Sequence, residues 1–294
     1  MVFSHTFKIT LLLFSILNLY AGCHEKEKEP VKPSYMTQVA VLPTELNENS
    51  GMIWYEGLIW TINDSGSEPF IYVVDTAGNI IRHIRLNGVE NTDWEEVTQD
   101  DSFIYVGDFG NNEGARTDLR IYKISKANLA DTVVTPEVIQ FAFADQSDFT
   151  PYAYNTPFDC EAMISRGDSL FLFTKNWTGV RTRIYGIPAV AGNYQAYPGE
   201  ALTVGGQVTA SVYSAADKRL YLLGYMEYIP FVWVCNDFSP GESYEGQMKQ
   251  FLFPEKIGMQ TEGIVLTDRG ELLVSCEESL YSPSILKVTL GDQP

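Results

Sequence analysis

An internal repeat of about fifty residues constrains the fold of this chain more than any other feature of its sequence. From residue 37 on, short apolar or alternating runs are separated by Gly, Asn, Asp and Pro, which is typical of an all-β chain. The first runs of five successive units begin near residues 50, 95, 161, 210 and 262. A fixed period of about 40–50 residues is typical of propellers and solenoids, in which one unit is a blade or a coil.

Each unit offers a second and a third apolar run after the first, and four of the five units offer a fourth. Residues 38–42 would be an orphan strand before the first unit, and we expect them to complete the last one, because this closure removes an exposed sheet edge. The sequence therefore predicts an all-β, five-bladed β-propeller closed by an N-terminal strand. It forms one domain over residues 37–290, with an insertion near residues 145–158. A six-bladed propeller and a two-sheet sandwich are the alternatives.

The N-terminus has the pattern of an export signal. In residues 1–22, Lys8 precedes an apolar run that is too short to span a bilayer, and small residues precede Cys23. This segment resembles a bacterial lipoprotein signal, which implies that Cys23 is lipidated. The charged, proline-bearing residues 23–36 predict a solvated tether. We expect an outer-membrane or cell-surface lipoprotein of the cell envelope, with secreted or periplasmic protein as the alternative.

Composition excludes several classes of site. The chain has 38 Asp and Glu against 20 Lys and Arg, a formal net charge of −18, so nucleic acid is not an expected partner and the lipid anchor is the only expected membrane contact. Two of the three histidines, His5 and His24, lie in the N-terminal segment, which argues against a histidine triad or a histidine-rich zinc site. For Cys160, Cys235 and Cys276 we favour buried thiols, with one disulfide as the alternative.

Acidic residues recur at one position of the repeat. The start of the first strand in an antiparallel meander lies beside the end of the second, so both open onto one face. In the repeat alignment Glu95, Glu161 and Glu262 share the first position, where Ser50 and Ala210 stand in the other two units. Like charges in one funnel require a cation, a shared proton or a basic side chain. Oxygen ligands without His or Cys favour Ca²⁺ or Mg²⁺.

Polar side chains follow the second strands on the same face. The expected ligand-binding residues are Asp64, Asn111, Asn112, Arg116 and Lys175. The basic members either orient an anionic ligand or serve as counter-charges for the acidic ring. The alternative for any single Asp or Asn is a structural role, capping a turn or bonding a neighbouring backbone.

Several of these runs resemble the SdiA-regulated and esterase-like phytase families of bacterial propellers. They are Asn-Asp-Ser-Gly at 63–66, Asp-Trp-Glu-Glu-Val at 93–97, Gly-Asp-Phe-Gly-Asn-Asn at 107–112 and Asp-Cys-Glu-Ala-Met at 159–163. The resemblance covers most of residues 48–290. It implies a five-bladed propeller at the cell envelope with a divalent-cation site, Ca²⁺, on its ligand-binding face, and no settled reaction. It implies metal ligands at Glu95, Glu161 and Glu262 with Asp108 beside them. Val208 and Ala210 interrupt the acidic ring in the fourth unit.

The sequence thus predicts an envelope-anchored, monomeric propeller that binds a small molecule, a glycan or a protein with Ca²⁺ in an acidic funnel. One alternative is a metal-assisted phosphoester or ester hydrolase, with Glu95 or Glu161 as the catalytic base. Another is a glycan-binding or glycoside-acting propeller that uses exposed aromatic side chains such as Tyr154 and Trp177. A protein-interaction scaffold is the fourth hypothesis.

Overall fold

The chain folds as a succession of antiparallel meanders in a computed structural model that describes residues 32–239, 241 and 248–292. The opening strand and first meander are β1 (Tyr35–Val41), β2 (Asn49–Tyr55), β3 (Leu58–Asn63), β4 (Phe70–Val74) and β5 (Ile80–Leu86). The second meander contains β6 (Trp94–Gln99), β7 (Phe103–Asp108), β8 (Arg120–Ser125), β9 (Val133–Val134) and β10 (Glu137–Phe143). The third contains β11 (Asp159–Arg166), β12 (Ser169–Lys175), β13 (Arg181–Pro188) and β14 (Gly192–Thr203).

The last two meanders have the same pattern. The fourth contains β15 (Gln207–Ser214), β16 (Arg219–Met226), β17 (Ile229–Cys235) and β18 (Met248–Leu252). The fifth contains β19 (Thr261–Leu266), β20 (Leu272–Cys276) and β21 (Ser284–Thr289). Three short 3₁₀ helices in the described ranges span Thr44–Leu46, Lys126–Asn128 and Pro254–Lys256. The prediction of an all-β chain is therefore confirmed.

Within each meander the main strands pair antiparallel, and two parallel pairs join strands of different meanders. Strands β2 to β5 form one sheet with β9 parallel to β5, and β15 to β18 form another. Strands β6, β7, β8 and β10 join β11 to β14 in an eight-stranded sheet through the parallel pair of β10 and β14. Strand β1 pairs antiparallel with β21 at the edge of the last sheet, which is the predicted closure.

The five first strands lie side by side in a closed ring. Strand β2 contacts β6, β6 contacts β11, β11 contacts β15, β15 contacts β19, and β19 contacts β2 again. Each of the five apolar clusters joins side chains of two meanders that are neighbours in this ring. Both faces of each sheet are buried in this way, which explains the apolar strand runs of the sequence. The architecture is that of a propeller.

One carboxylate crosses the ring near its axis. Glu96 on β6 is fully buried, and its Oε1 accepts a 3.0 Å hydrogen bond from the Val97 N–H. Its Oε2 accepts a 2.9 Å bond from the N–H of Ser211 on β15, a strand that does not neighbour β6 in the ring. Gly51 approaches Glu96 so closely that a Cβ there would lie 2.8 Å from Oε1. This side chain therefore ties opposite sides of the ring together.

Parts of the N-terminal prediction lie outside the described residues. These parts are the signal segment 1–22, Cys23 and the tether up to residue 31. Strand β1 begins at Tyr35, two residues before the predicted domain boundary, because Met36 packs into the core at 4% exposure. Across residues 32–239, 241 and 248–292, no helix has the length and apolar character to cross a membrane. The three remaining cysteines are buried free thiols, as the sequence favoured.

Candidate functional site

Each first strand has a β-bulge near its start, where one residue has no partner on the second strand. The bulged residues are Gly51, Glu95, Glu161, Thr209 and Glu262. Three of the acidic residues thus occupy one structural position, as the repeat predicted. In the other two strands the sequence alignment placed Ser50 and Ala210 at this position, whereas the bulge lies at Gly51 and Thr209, one residue away. A bulge adds a residue to one strand, and this shift leaves no mark in the apolar pattern.

A cavity of about 730 Å³ opens at this end of the ring. All three bulge carboxylates line it, together with Asp64, Asn112, Lys175, Trp177, Tyr225, Gln260 and Glu277. Six of the predicted site residues are therefore brought together around one cavity. Acidic groups outnumber basic ones in its wall, where Lys175 is the one cationic lining residue within the described parts of the chain.

Three carboxylates converge on one side of the cavity. One oxygen each of Asp64, Asp93 and Glu95 lies within 4.8 Å of the other two. Two ligand oxygens that each lie about 2.4 Å from a Ca²⁺ ion are at most about 4.8 Å apart, so this set suits a hard divalent cation. A second set, Glu48, Asp64 and Glu277, meets the same criterion and shares Asp64 with the first. The acidic clusters thus allow a metal ion here.

A close backbone approach holds two of these carboxylates in place. Gly110 follows β7, and its N–H donates a 3.2 Å hydrogen bond to the Asp93 carbonyl oxygen. A Cβ at this position would overlap Glu95 Oε1 and lie 2.5 Å from Asp93 Oδ2. Only a residue without a side chain leaves room for both carboxylates, so Gly110 forms the floor of the cluster.

Mutual repulsion and burial alter the acidity of the cluster. Burial raises the pKa of Asp93 to about 7, and the carboxylates of Asp64 and Asp159 add to the rise. Burial likewise raises the pKa of Glu262 to about 8 and that of Glu277 to about 7. The pKa of Glu95 is raised well above its ordinary value by burial and by Asp64. Each of these carboxylates would be stabilised by a bound cation.

Lys175 makes a direct ion pair with one carboxylate of the cavity among the described residues. Its Nζ lies 2.7 Å from Glu161 Oε1, and both side chains are buried. The same ammonium lies 5.0 Å from the Trp177 ring centroid and 5.5 Å from that of Tyr225. Glu161 raises the pKa of Lys175 well above its ordinary value, so the ammonium is charged. Glu161 Oε2 is buried and has no hydrogen-bond partner among the described residues.

Three predicted site residues lie outside the cavity wall. Asp108 is fully buried, and its Oδ1 accepts a 2.8 Å hydrogen bond from Arg116 Nη2, while Oδ2 accepts a 3.1 Å bond from the Tyr122 hydroxyl. The Asn111 N–H donates a 2.6 Å bond to Asp159 Oδ1. Asp108, Asn111 and Arg116 thus brace the loop that follows β7 and support the site from behind.

Two residues of the site, Asp93 and Glu277, are absent from the site residues predicted from the sequence. Asp93 stands two residues before the bulge of β6, as Asp159 does in β11, so the repeated Asp-x-Glu pattern was a usable signal. Asp159 differs in role, since its Oδ2 accepts a 2.7 Å hydrogen bond from Trp177 Nε1 and fixes that ring. Glu277 follows β20 directly, but nothing in the sequence separates it from Glu278, which does not line the cavity.

No protein-family model matches the sequence, and neither does any curated protein. Among solved structures, the Myxococcus xanthus glutaminyl cyclase is similar with a TM-score of 0.52 and 11% identity over 89% of this chain and 98% of that chain. A GH43 β-1,3-galactosidase with bound galactodeoxynojirimycin gives a TM-score of 0.50 and 10% identity over 85% and 93%. The soluble aldose sugar dehydrogenase of Escherichia coli gives 0.49 and 11% over 87% and 99%. The first two superpositions agree with the closed ring of first strands, and the chain fits a β-propeller family.

Proposed function

We propose that this protein is a calcium-dependent binding propeller of the cell envelope, related to the SdiA-regulated and esterase-like phytase propellers. In this proposal Asp64, Asp93 and Glu95 hold a divalent cation, Ca²⁺, and the rest of the cavity binds a ligand. Lipidated Cys23 anchors a monomer to the membrane. The motifs at 93–97 and 107–112 support the relationship, because both lie at the acidic cluster.

Five blades are the count that we infer for the propeller. Five first strands close the ring, and each carries a bulge at the same place. The eight-stranded sheet then represents two blades whose outer strands, β10 and β14, pair in parallel across the gap between them. No unit of the described residues is left over for a sixth blade.

The observation that carries the cation proposal is a set of buried carboxylates without donors. Glu95 and Glu262 are each 7% exposed, and no hydrogen-bond donor or basic partner reaches either carboxylate among the described residues. Leaving an ionised carboxylate in such surroundings costs several kcal/mol, so the group either takes up a proton or binds a cation. Three converging oxygens and the Gly110 floor favour the cation.

A calcium titration tests this proposal. Saturating Ca²⁺ should raise the melting temperature of the wild-type protein over that in chelator by about 5–10 °C, because a ligand at about 100 times its Kd adds about 2.7 kcal/mol. Asp64→Asn and Glu95→Gln should abolish the shift. Glu56→Gln, which removes the same charge from the exposed turn between β2 and β3, should retain it. An unchanged wild-type melting temperature would rule the cation site out.

Metal-assisted hydrolysis is the second candidate, and Glu161 favours it. Its Oε2 is a buried, unpartnered oxygen in the cavity wall, as a general base for a metal-bound water would be. Glu95 is the other candidate base. Phosphoester, ester and glycoside substrates should be screened in calcium with wild type and Glu161→Gln. Turnover that Glu161→Gln loses while it keeps the calcium-dependent melting shift would support hydrolysis, and no turnover on any class would leave binding alone.

A further inference from the structure

One part of the cavity wall is acidic and makes no direct ion pair among the described residues. Glu262 and Glu277 both line it, and they are close enough for Glu277 to raise the pKa of Glu262. None of the ion pairs of the described residues includes either carboxylate. Lys175, the cation of the cavity wall, is committed to Glu161 at 2.7 Å.

Glu262 itself points to a ligand. Its side chain belongs to a residue that is 7% exposed, it faces the cavity, and no donor within the described residues bonds its carboxylate. Its carboxylate therefore has no donor from the protein and faces only the cavity, and a largely buried acid without a donor is unfavourable. A ligand that brings positively charged N–H or N–CH₃ groups would supply what this carboxylate lacks.

The aromatic side chains of the cavity suit an ammonium group. Lys175 Nζ already lies over the rings of Trp177 and Tyr225, at 5.0 and 5.5 Å from their centroids, so this wall accommodates an organic cation. Tyr228 also lines the cavity, and this residue is 74% exposed. Glu227 and Tyr228, with φ of +50° and +66°, form the two-residue turn between β16 and β17, a turn type that has positive φ at both positions. This turn presents the ring of Tyr228 at the cavity, where a ligand can contact it.

We propose that the ligand of this cavity is a small organic cation, whose ammonium group binds between Glu262 and Glu277 and against the ring of Tyr228. This inference rests on the proposed function, because a divalent cation at Asp64, Asp93 and Glu95 leaves Glu262 as the uncompensated acid. An anionic ligand is disfavoured, since it would bring a further negative charge to the same wall. A neutral ligand would leave Glu262 without an ion-pair partner.

Calorimetric titrations of the calcium-saturated full chain at constant ionic strength test the inference. The probes are n-butylammonium and tetramethylammonium, with 1-butanol and galactose as neutral controls. We expect n-butylammonium to bind at least about 10-fold more tightly than 1-butanol, because a buried ion pair adds more than about 1.4 kcal/mol. Glu262→Gln should weaken that binding about 10-fold or more and change calcium affinity by less than about 3-fold. Glu56→Gln should change neither.

Tyr228 provides an independent arm of the test. Tyr228→Ala should lower the affinity for tetramethylammonium about 3- to 5-fold. Tyr228→Phe should leave that affinity unchanged, since the ring face and not the hydroxyl makes the contact. Equal affinity for the two neutral probes and the two cations would overturn the inference. So would a second calcium ion per chain that n-butylammonium does not displace.

The two proposals fail in different ways. If calcium binds and neither ammonium probe does, the organic-cation inference is wrong and the metal proposal stands. If n-butylammonium binds in a Glu262-dependent manner and calcium has no effect, the metal proposal is wrong instead. Absence of binding by both cations would reject both proposals.

Discussion

At the scale of single residues, the character of the cavity depends on which side chain occupies the bulge of each first strand. Among the bulged residues of the five first strands, only Glu95, Glu161 and Glu262 bring a charge to the cavity wall. Gly51 and Thr209 fill the same position elsewhere, and the Thr209 hydroxyl donates a 2.6 Å hydrogen bond to the Thr261 carbonyl oxygen. The acidity is therefore uneven around the ring.

Gly110 provides a prediction at this scale. Gly110→Ala places a methyl group against Glu95 Oε1 and Asp93 Oδ2, so the metal ligands must separate. We expect calcium affinity to fall about 10-fold or more, while the unfolding free energy in chelator changes by less than about 2 kcal/mol. Gly179→Ala is the control, because its nearest contact would be 3.4 Å from Asn176 Nδ2. Unchanged calcium affinity in Gly110→Ala would contradict the assignment of Asp93 and Glu95.

The sequence predicted the shared position of Glu95, Glu161 and Glu262 because strand repeats carry their charges in register. It did not show that Asp64 lines the cavity and Asp108 does not, because both residues lie at the end of a second strand. Strand position alone does not tell which way a terminal side chain turns, and for Asp108 the decision comes from Arg116, eight residues on, which bonds it inside the loop. Contacts of that kind arise from tertiary packing and have no period to detect.

At the scale of the strands, the closing element is a strand from the opposite end of the domain. Strand β1 completes the last sheet beside β21, and its inward residue Met36 joins the apolar cluster of the fourth and fifth meanders. The strands of all five meanders were visible in the sequence as apolar runs. Strand β9 was not, since two residues, Val133–Val134, are too few to show a pattern. Strand β14 extends over twelve residues, because its first five residues pair with β10 and later ones pair with β13.

The closure can be tested by two substitutions on the same strand. Met36→Asp buries a carboxylate in the apolar cluster, and we expect it to lower the unfolding free energy by about 3 kcal/mol or more. Val39→Asp makes the same chemical change at a residue that is 46% exposed and should cost less than about 1 kcal/mol. Urea unfolding of both variants gives the comparison. Equal losses would mean that β1 contributes no buried contact to the domain.

At the scale of the whole molecule, the net charge of −18 matters through the fraction of it that converges on the cavity. In the parts of the chain that the structure describes, most acidic residues are exposed or half-buried, where water screens them. The carboxylate of Glu262 is instead buried, those of Asp93 and Glu277 are half-buried, and all three have raised pKa values. Folding thus confines charge that the unfolded chain would disperse, and the stability of the protein depends on what neutralises it.

This confinement predicts a pH dependence. The folded protein holds protons on Asp93, Glu262 and Glu277 up to pKa values of about 7, 8 and 7, whereas the unfolded chain releases them near its ordinary values. Because the native state binds more protons between about pH 4.5 and 8, the unfolding free energy in metal-free buffer should fall across this window by several kcal/mol. Saturating calcium at Asp64, Asp93 and Glu95 should remove the contribution of Asp93 and leave that of Glu262, so the fall should become smaller. Urea midpoints at pH 5, 7 and 9 provide the measurement, and stability that rises with pH in metal-free buffer would contradict it.

The pairing of β1 with β21 also sets the order of events during synthesis. Gln38 and Ser284, whose side chains meet across this pair, are separated by 246 residues. At about 5–20 residues per second, roughly 12–50 s pass between the emergence of the two strands from the ribosome. Through that interval β1 has no native partner, and its backbone N–H and C=O groups are available for pairing with other chains. The strand that closes the finished ring is therefore one that waits for its native partner until nearly the whole domain has been made, and during that wait it can pair with other chains.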